Sequence, residues 1–240
     1  MMYNEEDLSD VVVPFLGEPL KFRLPKGDYI TGKMIGELRL YEHDLLDALA
    51  GLNVPTDGTW VDVGACFGTH SAAFLRLGAA YVLAYEPQFH AASLAHLNMA
   101  QACKGDRSRF DVVAAAVHDS WRMTELRMTD PHNQGMTRCV GRGNRLTPSD
   151  VFAKCHRIDD DVEELNVPRP IRLIKVDVER LELDVLRSAQ VSIERDRPVI
   201  VAEAQTVLER DAIDTFLATY GYHQRVGRVF GNTPTYIWMP

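Results

Sequence analysis

Thr59–Glu86, TWVDVGACFGTHSAAFLRLGAAYVLAYE, is the stretch whose reading decides the fold. Trp60, Val61 and Val63 are aromatic or β-branched and run straight into Gly64, as in a strand that ends in a turn. Gly68 and the run Thr69, His70, Ser71 supply the exit from that turn and a helix N-cap. A second strand, Tyr81 to Tyr85, then delivers Glu86. Strand, glycine turn, helix, strand and terminal carboxylate make a βαβ unit. Because Gly64 lacks a Cβ, a ligand can approach the main chain there, and the free N–H groups opening the next helix point toward it.

A carboxylate about 20 residues beyond the first glycine, at the tip of the second strand, is where dinucleotide-binding sheets hold a ribose diol. Glu86 therefore points to an adenosine-containing ligand. Glycine spacing separates the candidates: a nicotinamide fingerprint requires GxGxxG, and Cys66 occupies the place of its second glycine. A ligand that joins adenosine to a cationic sulfonium needs one close backbone approach and acidic neighbours, which Gly64, Asp62 and Glu86 offer. S-adenosylmethionine is the expected cofactor. Its contacts are expected from Asp62, Gly64, Ala65, Cys66, Gly68, Thr69 and His70 around the turn, from Glu86 and Pro87 after the second strand, and from Ala116 near the end of the third.

The chain of 240 residues suits one α/β domain over 1–240, with an N-terminal hairpin and covering helix within 1–56 and an insertion over 118–150. Lys plus Arg number 26 against 34 Asp plus Glu, a formal charge of −8 that opposes polyanions across the surface, so nucleic acid is not an expected partner. No apolar run is long enough to span a bilayer, and the start MMYNEEDLSD is the opposite of a secretory n-region, so a cytoplasmic protein without a membrane partner is expected. Cys66, Cys103, Cys139 and Cys155 form no CxxC pair and read as free thiols. Cys139, Cys155, His132 and His156 match no common zinc spacing.

Along the chain, Val11 to Leu24 alternates like a hairpin around Gly17 and Pro19. Leu45, Leu46, Leu49 and Leu52 recur at helical spacing over Tyr41 to Leu52, a packing helix or a lid on the cofactor pocket. Helices are expected over Ser71 to Leu77 and Pro87 to Cys103, and a third strand over Asp111 to Val117, whose run VVAAAV is apolar on both faces like a buried parallel strand. His118 to Asp150 breaks the rhythm with glycines, prolines and Arg122, Arg127, Arg138, Arg142 and Arg145; it contains a strand near Trp121 to Met128 and a turn at His132 to Met136. The arginines suit an anionic substrate, an interface or a solvated loop equally. Ile171 to Asp177 is the fourth strand with a helix over Leu181 to Ala189. Val199 to Glu203 is the fifth, followed by a helix over Val207 to Tyr220 and a closing hairpin from Tyr222 to Arg228 and Thr235 to Met239.

VDVGACFG at Val61, AYEP at Ala84, IKVDVERLE at Ile174 followed by Val185 and Leu186, and the glutamate ending the fifth strand together resemble the FkbM-type methyltransferases, a branch of the class I S-adenosylmethionine-dependent enzymes. The likeness runs from about Tyr41 through Glu203, and the pair Tyr41 and Glu42 and the stretch RIDDDVEEL from Arg157 are similar to family segments as well. It implies a doubly wound, Rossmann-like sheet of seven strands with an antiparallel last strand, and O-methylation of a hydroxyl on a sugar or natural-product-like molecule. Two positions depart from the family: Cys66 stands where asparagine is usual and Arg180 where glycine is usual.

Ligands of open α/β sheets sit beyond the carboxyl ends of the strands, which here carry Gly64, Glu86, Asp177 and Glu203. Methyl transfer to oxygen needs positioning and removal of the hydroxyl proton. Asp177, Glu179 and His118 are the candidate catalytic residues, with Asp177 and Glu179 equally readable as first-turn carboxylates favoured by a helix dipole. His132, Asn133, Gln134, Arg180 and Glu203 are the candidate acceptor contacts, the first three from an insertion that roofs the acceptor. Asp177, Glu203 and Gln205 could gather magnesium, but the Asp and Asn usual after the fifth strand of metal-dependent relatives are missing, so no metal is expected. A nicotinamide-dependent oxidoreductase and a non-catalytic cofactor-binding subunit are the alternatives, and a homo-oligomer is compatible with all of them.

Overall fold

The computed structural model describes residues 3–141, 151–224, 230 and 233–240. An N-terminal hairpin pairs β1 (Leu8–Phe15) with β2 (Glu18–Pro25). Its two turn residues, Leu16 and Gly17, have φ of 52° and 78°, the primed turn whose twist matches the strands. Val11, Val13, Leu20, Phe22 and Leu24 face inward at alternate positions. Helix α1 (Tyr29–Glu37) follows, capped by Asp28, whose carboxylate accepts from the Ile30 N–H at 2.9 Å. Gly32 and Gly36 dilute its helical signal in the sequence, and buried Ile30 and Met34 hold it in place. Helix α2 (His43–Gly51) buries Leu45, Leu46 and Leu49 in the core, so it packs and is not a lid.

The sheet begins with β3 (Thr59–Val63), α3 (Thr69–Arg76), β4 (Tyr81–Tyr85), α4 (Phe89–Ala102) and β5 (Phe110–Val113). Here one expectation fails. VVAAAV is not a single strand: β5 stops at Val113, the Ala115 N–H turns back to the Val113 carbonyl at 2.9 Å, and β6 (Ala116–Val117) leaves the main sheet. It joins β7 (Met123–Met128), β8 (Thr137–Val140) and β9 (Val151–His156) in a small second sheet of order β6-β9-β7-β8. The insertion is thus largely a hairpin on that sheet; Arg142 and Arg145 lie outside the described residues.

After β9 come α5 (Ile158–Glu164), β10 (Ile171–Val176), α6 (Glu182–Ser188), α7 (Gln190–Asp196), β11 (Val199–Glu203), α8 (Val207–Ala218), β12 (His223–Gln224) and β13 (Thr235–Met239). Residues 225–229 of the expected closing hairpin lie outside the described residues. The main sheet has seven strands in the order β12-β13-β11-β10-β3-β4-β5. Pairings from β5 through β11 are parallel, and β13 runs antiparallel to both its neighbours. Every β3 residue is buried because helices cover both faces, with Trp60 in the half that holds the hairpin and α2–α4 and Val61 in the half that holds α5–α8. Asn98 of α4, fully buried, accepts from the Arg23 N–H at 2.7 Å and donates to the Arg23 and Phe67 carbonyls at 3.2 and 2.8 Å. No helix among the described residues is long and apolar enough to cross a membrane.

Candidate functional site

A cavity of about 600 Å³ opens at the carboxyl ends of β3, β4, β10 and β11. Its floor is the glycine turn. Gly64 (φ 84°) and Ala65 donate their N–H groups to the Tyr85 carbonyl at 3.0 and 2.9 Å, which bends the chain sharply as it leaves β3. A Cβ on Gly64 would lie 1.9 Å from the Asp177 carbonyl oxygen, so glycine is needed there for two strand ends to touch as well as for a ligand. Gly68 lies outside the lining: a Cβ there would sit 2.8 Å from Ala95 Cα, so that glycine serves the packing of α3 on α4.

Glu86 is fixed by the main chain. Its Oε2 accepts from the Cys66 N–H at 2.9 Å and its Oε1 from the Gln88 N–H at 2.8 Å. Burial pushes its carboxyl up to about 7 in spite of those bonds. Each carboxylate oxygen retains acceptor capacity toward the cavity it lines.

A charge network underlies the centre of the site. Lys175, 3% exposed on β10, places Nζ 3.4 Å from Asp62 Oδ1 and 3.3 Å from Asp177 Oδ2. Asp62 is completely buried beneath the turn, accepts from Ser71 Oγ at 2.6 Å, and does not line the cavity. Glu42, which precedes α2, lines the cavity with its Oε2 3.6 Å from His70 Nε2. Burial first, then the Asp177 charge, pushes Glu42 up to about 7; burial first, then the Lys175 charge, pulls His70 down to about 4. The first turn of α3 therefore offers a neutral imidazole.

Beyond Asp177 the cavity is lined by Glu179, Glu203, Gln205, Thr235 and Arg138. Gln205 Nε2 donates to Glu179 Oε2 at 3.1 Å, and Arg138 Nη2 lies 3.7 Å from the same oxygen, which ties β8 of the small sheet to the loop after β10. Glu203 is 5% exposed and its Oε2 has no hydrogen-bond partner among the described residues. Arg180 is exposed, donates from Nε to Gln205 Oε1 at 3.3 Å, and stays outside the lining.

Several sequence expectations are thereby sorted. Gly64, Ala65, Cys66, Thr69, His70, Glu86, Pro87 and Ala116 line the cavity, as do Asp177, Glu179, Glu203, Asn133 and Gln134. His132 does not: its ring is exposed, and its carbonyl accepts from the Tyr29 N–H at 2.7 Å. The neighbouring Gln134 is anchored by its N–H to Asp28 Oδ2 at 3.1 Å, by its side chain to the Tyr3 hydroxyl, and by its carbonyl to Gln88 Nε2 at 3.1 Å. The tip of the insertion therefore closes on the Glu86 side of the cavity, away from Glu203. His118 is also outside the lining: its ring stacks on Trp121 at 4.0 Å, and Nδ1 accepts from the Ser120 and Trp121 N–H groups. Among the described residues, only His118, Asp119 and Asp184 are grouped closely enough to hold a metal ion, and the Nδ1 lone pair is already engaged by the main chain. Sequence reasoning missed Lys175 and Glu42 as site residues; a lysine inside the apolar run IRLIKV was the available signal for the first.

Both departures from the usual family residues fall on left-handed backbone. Cys66 has φ 48° and Arg180 φ 85°, positions that favour asparagine and glycine respectively.

Comparison with known proteins agrees with this geometry. A Methyltransferase FkbM domain model matches residues 62–223, more than half of the chain. No curated protein matches the sequence. Among solved structures, methyltransferase FkbM from Methylobacillus flagellatus KT superposes with a TM-score of 0.53 at 17% identity, covering 77% of this chain and 44% of that one. A protein from Streptococcus mutans assigned as an S-adenosylmethionine-dependent methyltransferase gives 0.52 at 10% identity, covering 99% of this chain and 56% of that one. The chain thus spans about half the length of these two proteins, and at such identities the likeness is one of fold. With the glycine turn, the strand-end carboxylates and the domain match in agreement, the chain belongs to the FkbM methyltransferase family.

Proposed function

We propose that this protein transfers a methyl group from S-adenosylmethionine to a hydroxyl of a small molecule. The observation that carries the proposal is the distribution of charge in one cavity. A ribose-type carboxylate, Glu86, stands at the end of β4, and Glu42, Asp177, Glu179 and Glu203 crowd the other side, against Lys175 and Arg138 as cations. A cavity of about 600 Å³ suits a cofactor with room for an acceptor. The cofactor supplies the electrophilic methyl group and a positive charge. Glu86 receives the ribose hydroxyls, with the Cys66 and Gln88 N–H groups holding its carboxylate in place. Ala116 and Gln134 flank the adenine side, and the surplus carboxylates receive the sulfonium.

Asp177 closes β10 and lines the point where the acceptor oxygen meets the methyl group, its charge held by Lys175. In this reading it orients the acceptor and complements the sulfonium. No divalent ion takes part.

Calorimetry with S-adenosylhomocysteine and with NAD, followed by label transfer from methyl-labelled S-adenosylmethionine to hydroxylated small molecules, tests the proposal. Binding of S-adenosylhomocysteine and EDTA-insensitive labelling on oxygen are expected. Preference for NAD would overturn it in favour of an oxidoreductase, and binding without transfer to any acceptor would favour a non-catalytic subunit.

A further inference from the structure

The acceptor's hydroxyl must lose a proton during transfer, and two carboxylates border that end of the cavity. Asp177 has its Oδ2 against the Lys175 ammonium at 3.3 Å. Glu203 differs: it ends β11, is 5% exposed, lines the cavity, and carries a buried Oε2 with no hydrogen-bond partner among the described residues. A buried carboxylate oxygen left without a donor beside an open cavity is costly unless a ligand completes it.

We propose that Glu203, and not Asp177, takes the acceptor's hydroxyl proton, and that it becomes competent to do so when the cofactor's positive charge enters the cavity. This rests on the methyl transfer proposed above. As the acceptor oxygen forms its bond to the methyl carbon, the carbon–sulfur bond breaks, its electron pair stays on sulfur, and the O–H proton passes to the Glu203 carboxylate.

The surroundings of Glu203 supply the coupling. Asp177 and Glu179 bear on it from the loop after β10 and Glu182 from α6, while the Thr233 side chain, ahead of β13, offsets them only in part. The cations nearby, Lys175 and Arg138, are already placed against Asp62 and Asp177 and against Glu179. Burial first, then these like charges, pushes the Glu203 carboxyl up to about 8, so that without cofactor it holds its proton through neutrality. A sulfonium in the same enclosed space adds the missing opposite charge and favours the carboxylate. A base whose affinity for protons lies close to the working pH is the efficient one.

Proton uptake and release measured by calorimetry, in buffers of different ionisation enthalpy at pH 7.5, reads this directly. S-adenosylmethionine carries the sulfonium and S-adenosylhomocysteine does not. The native protein should release up to about 0.8 proton more with the first than with the second, the share of Glu203 that is protonated at that pH. Glu203→Gln, which keeps the shape of the side chain, should abolish most of that difference while binding S-adenosylhomocysteine within about threefold. Glu42→Gln should lower it by less than Glu203→Gln does. An undiminished difference in Glu203→Gln, or a loss confined to Glu42→Gln, overturns the assignment. If Glu203→Gln unfolds, Glu203→Asp serves: a difference that falls supports the assignment and one that does not refutes it. Failure of the native protein to bind either compound refutes the methyl-transfer reading itself.

Discussion

Replacing Lys175 by Met removes a buried cation beneath the cavity while keeping the length of the side chain. Lys175 is 3% exposed, and its ammonium stands 3.4 Å from Asp62 Oδ1 and 3.3 Å from Asp177 Oδ2. These two partners contribute unequally. The Asp177 side chain is 37% exposed, so water screens it and its loss of a partner costs little. Asp62 is completely buried and would retain only the hydroxyl of Ser71, at 2.6 Å, as a side-chain donor. Breaking a buried ion pair from one side costs about 3–5 kcal/mol, and with the Asp177 share discounted we expect about 3–4 kcal/mol. At a urea slope of about 2–3 kcal/mol/M, the unfolding midpoint should fall by roughly 1–2 M. Lys175→Met/Asp62→Asn should recover at least about half of the loss, because no buried charge is then left alone. Refutation is direct: a Lys175→Met midpoint within about 0.3 M of native, or a double variant no better than the single one, would mean that Asp62 does not depend on Lys175.

Glu86→Gln should weaken S-adenosylhomocysteine binding about tenfold to a hundredfold by calorimetry, since it loses charge-assisted bonds worth about 1.5–3 kcal/mol each, and an affinity within about twofold of native would count against the ribose role. Arg180→Gly relieves a φ of 85°, so a rise in stability of up to about 1 kcal/mol, seen as a few degrees in melting temperature, is expected; a fall would show that the bond to Gln205 outweighs the strain. Gly64→Ala should leave little soluble protein, because its methyl group meets the Asp177 carbonyl, and a stable, soluble variant would contradict the turn described. Glu42, Glu86 and Glu182 are pushed up to about 7 and Glu203 to about 8, so the folded chain without cofactor holds protons that the unfolded chain releases near the ordinary carboxylate range. Stability should therefore decline as pH rises. His70, pulled down to about 4, works in the opposite sense below its ordinary range but offsets one proton against four, so the decline should be steepest from about pH 5.5 to 7 and fade above about pH 8. A melting temperature that is flat or rising across that interval would refute it.

Most of the sheet was legible because its signals are local. Glycine after a β-branched run marks Gly64, and a carboxylate after an apolar run marks Glu86, Asp177 and Glu203. Where legibility failed, the deciding contact was distant. Nothing in VVAAAV says that the chain leaves the main sheet at Val113, because that depends on β9 being present to pair with Ala116 and Val117. HNQGM advertises polar side chains, yet Asp28, Tyr3 and Gln88, far away in sequence, decide that Gln134 closes the Glu86 side of the cavity and that His132 points outward. Lys175 is intelligible only once Asp62 is known to lie beside it on the neighbouring strand.

Asn98 has a consequence for where this protein can be divided. Its single amide joins both main-chain groups of Arg23 in the N-terminal hairpin to the Phe67 carbonyl in the turn that follows Gly64. The family model covers residues 62–223, so the hairpin falls outside it, yet it is bolted to the loop after Gly64 that lines the cavity. Trimming the chain to the matched segment would leave the Asn98 amide oxygen and one of its N–H groups stranded and the loop without the hairpin behind it. The mechanical unit around the cavity is therefore larger than the matched segment, and a change in the hairpin reaches the loop after Gly64 through one asparagine.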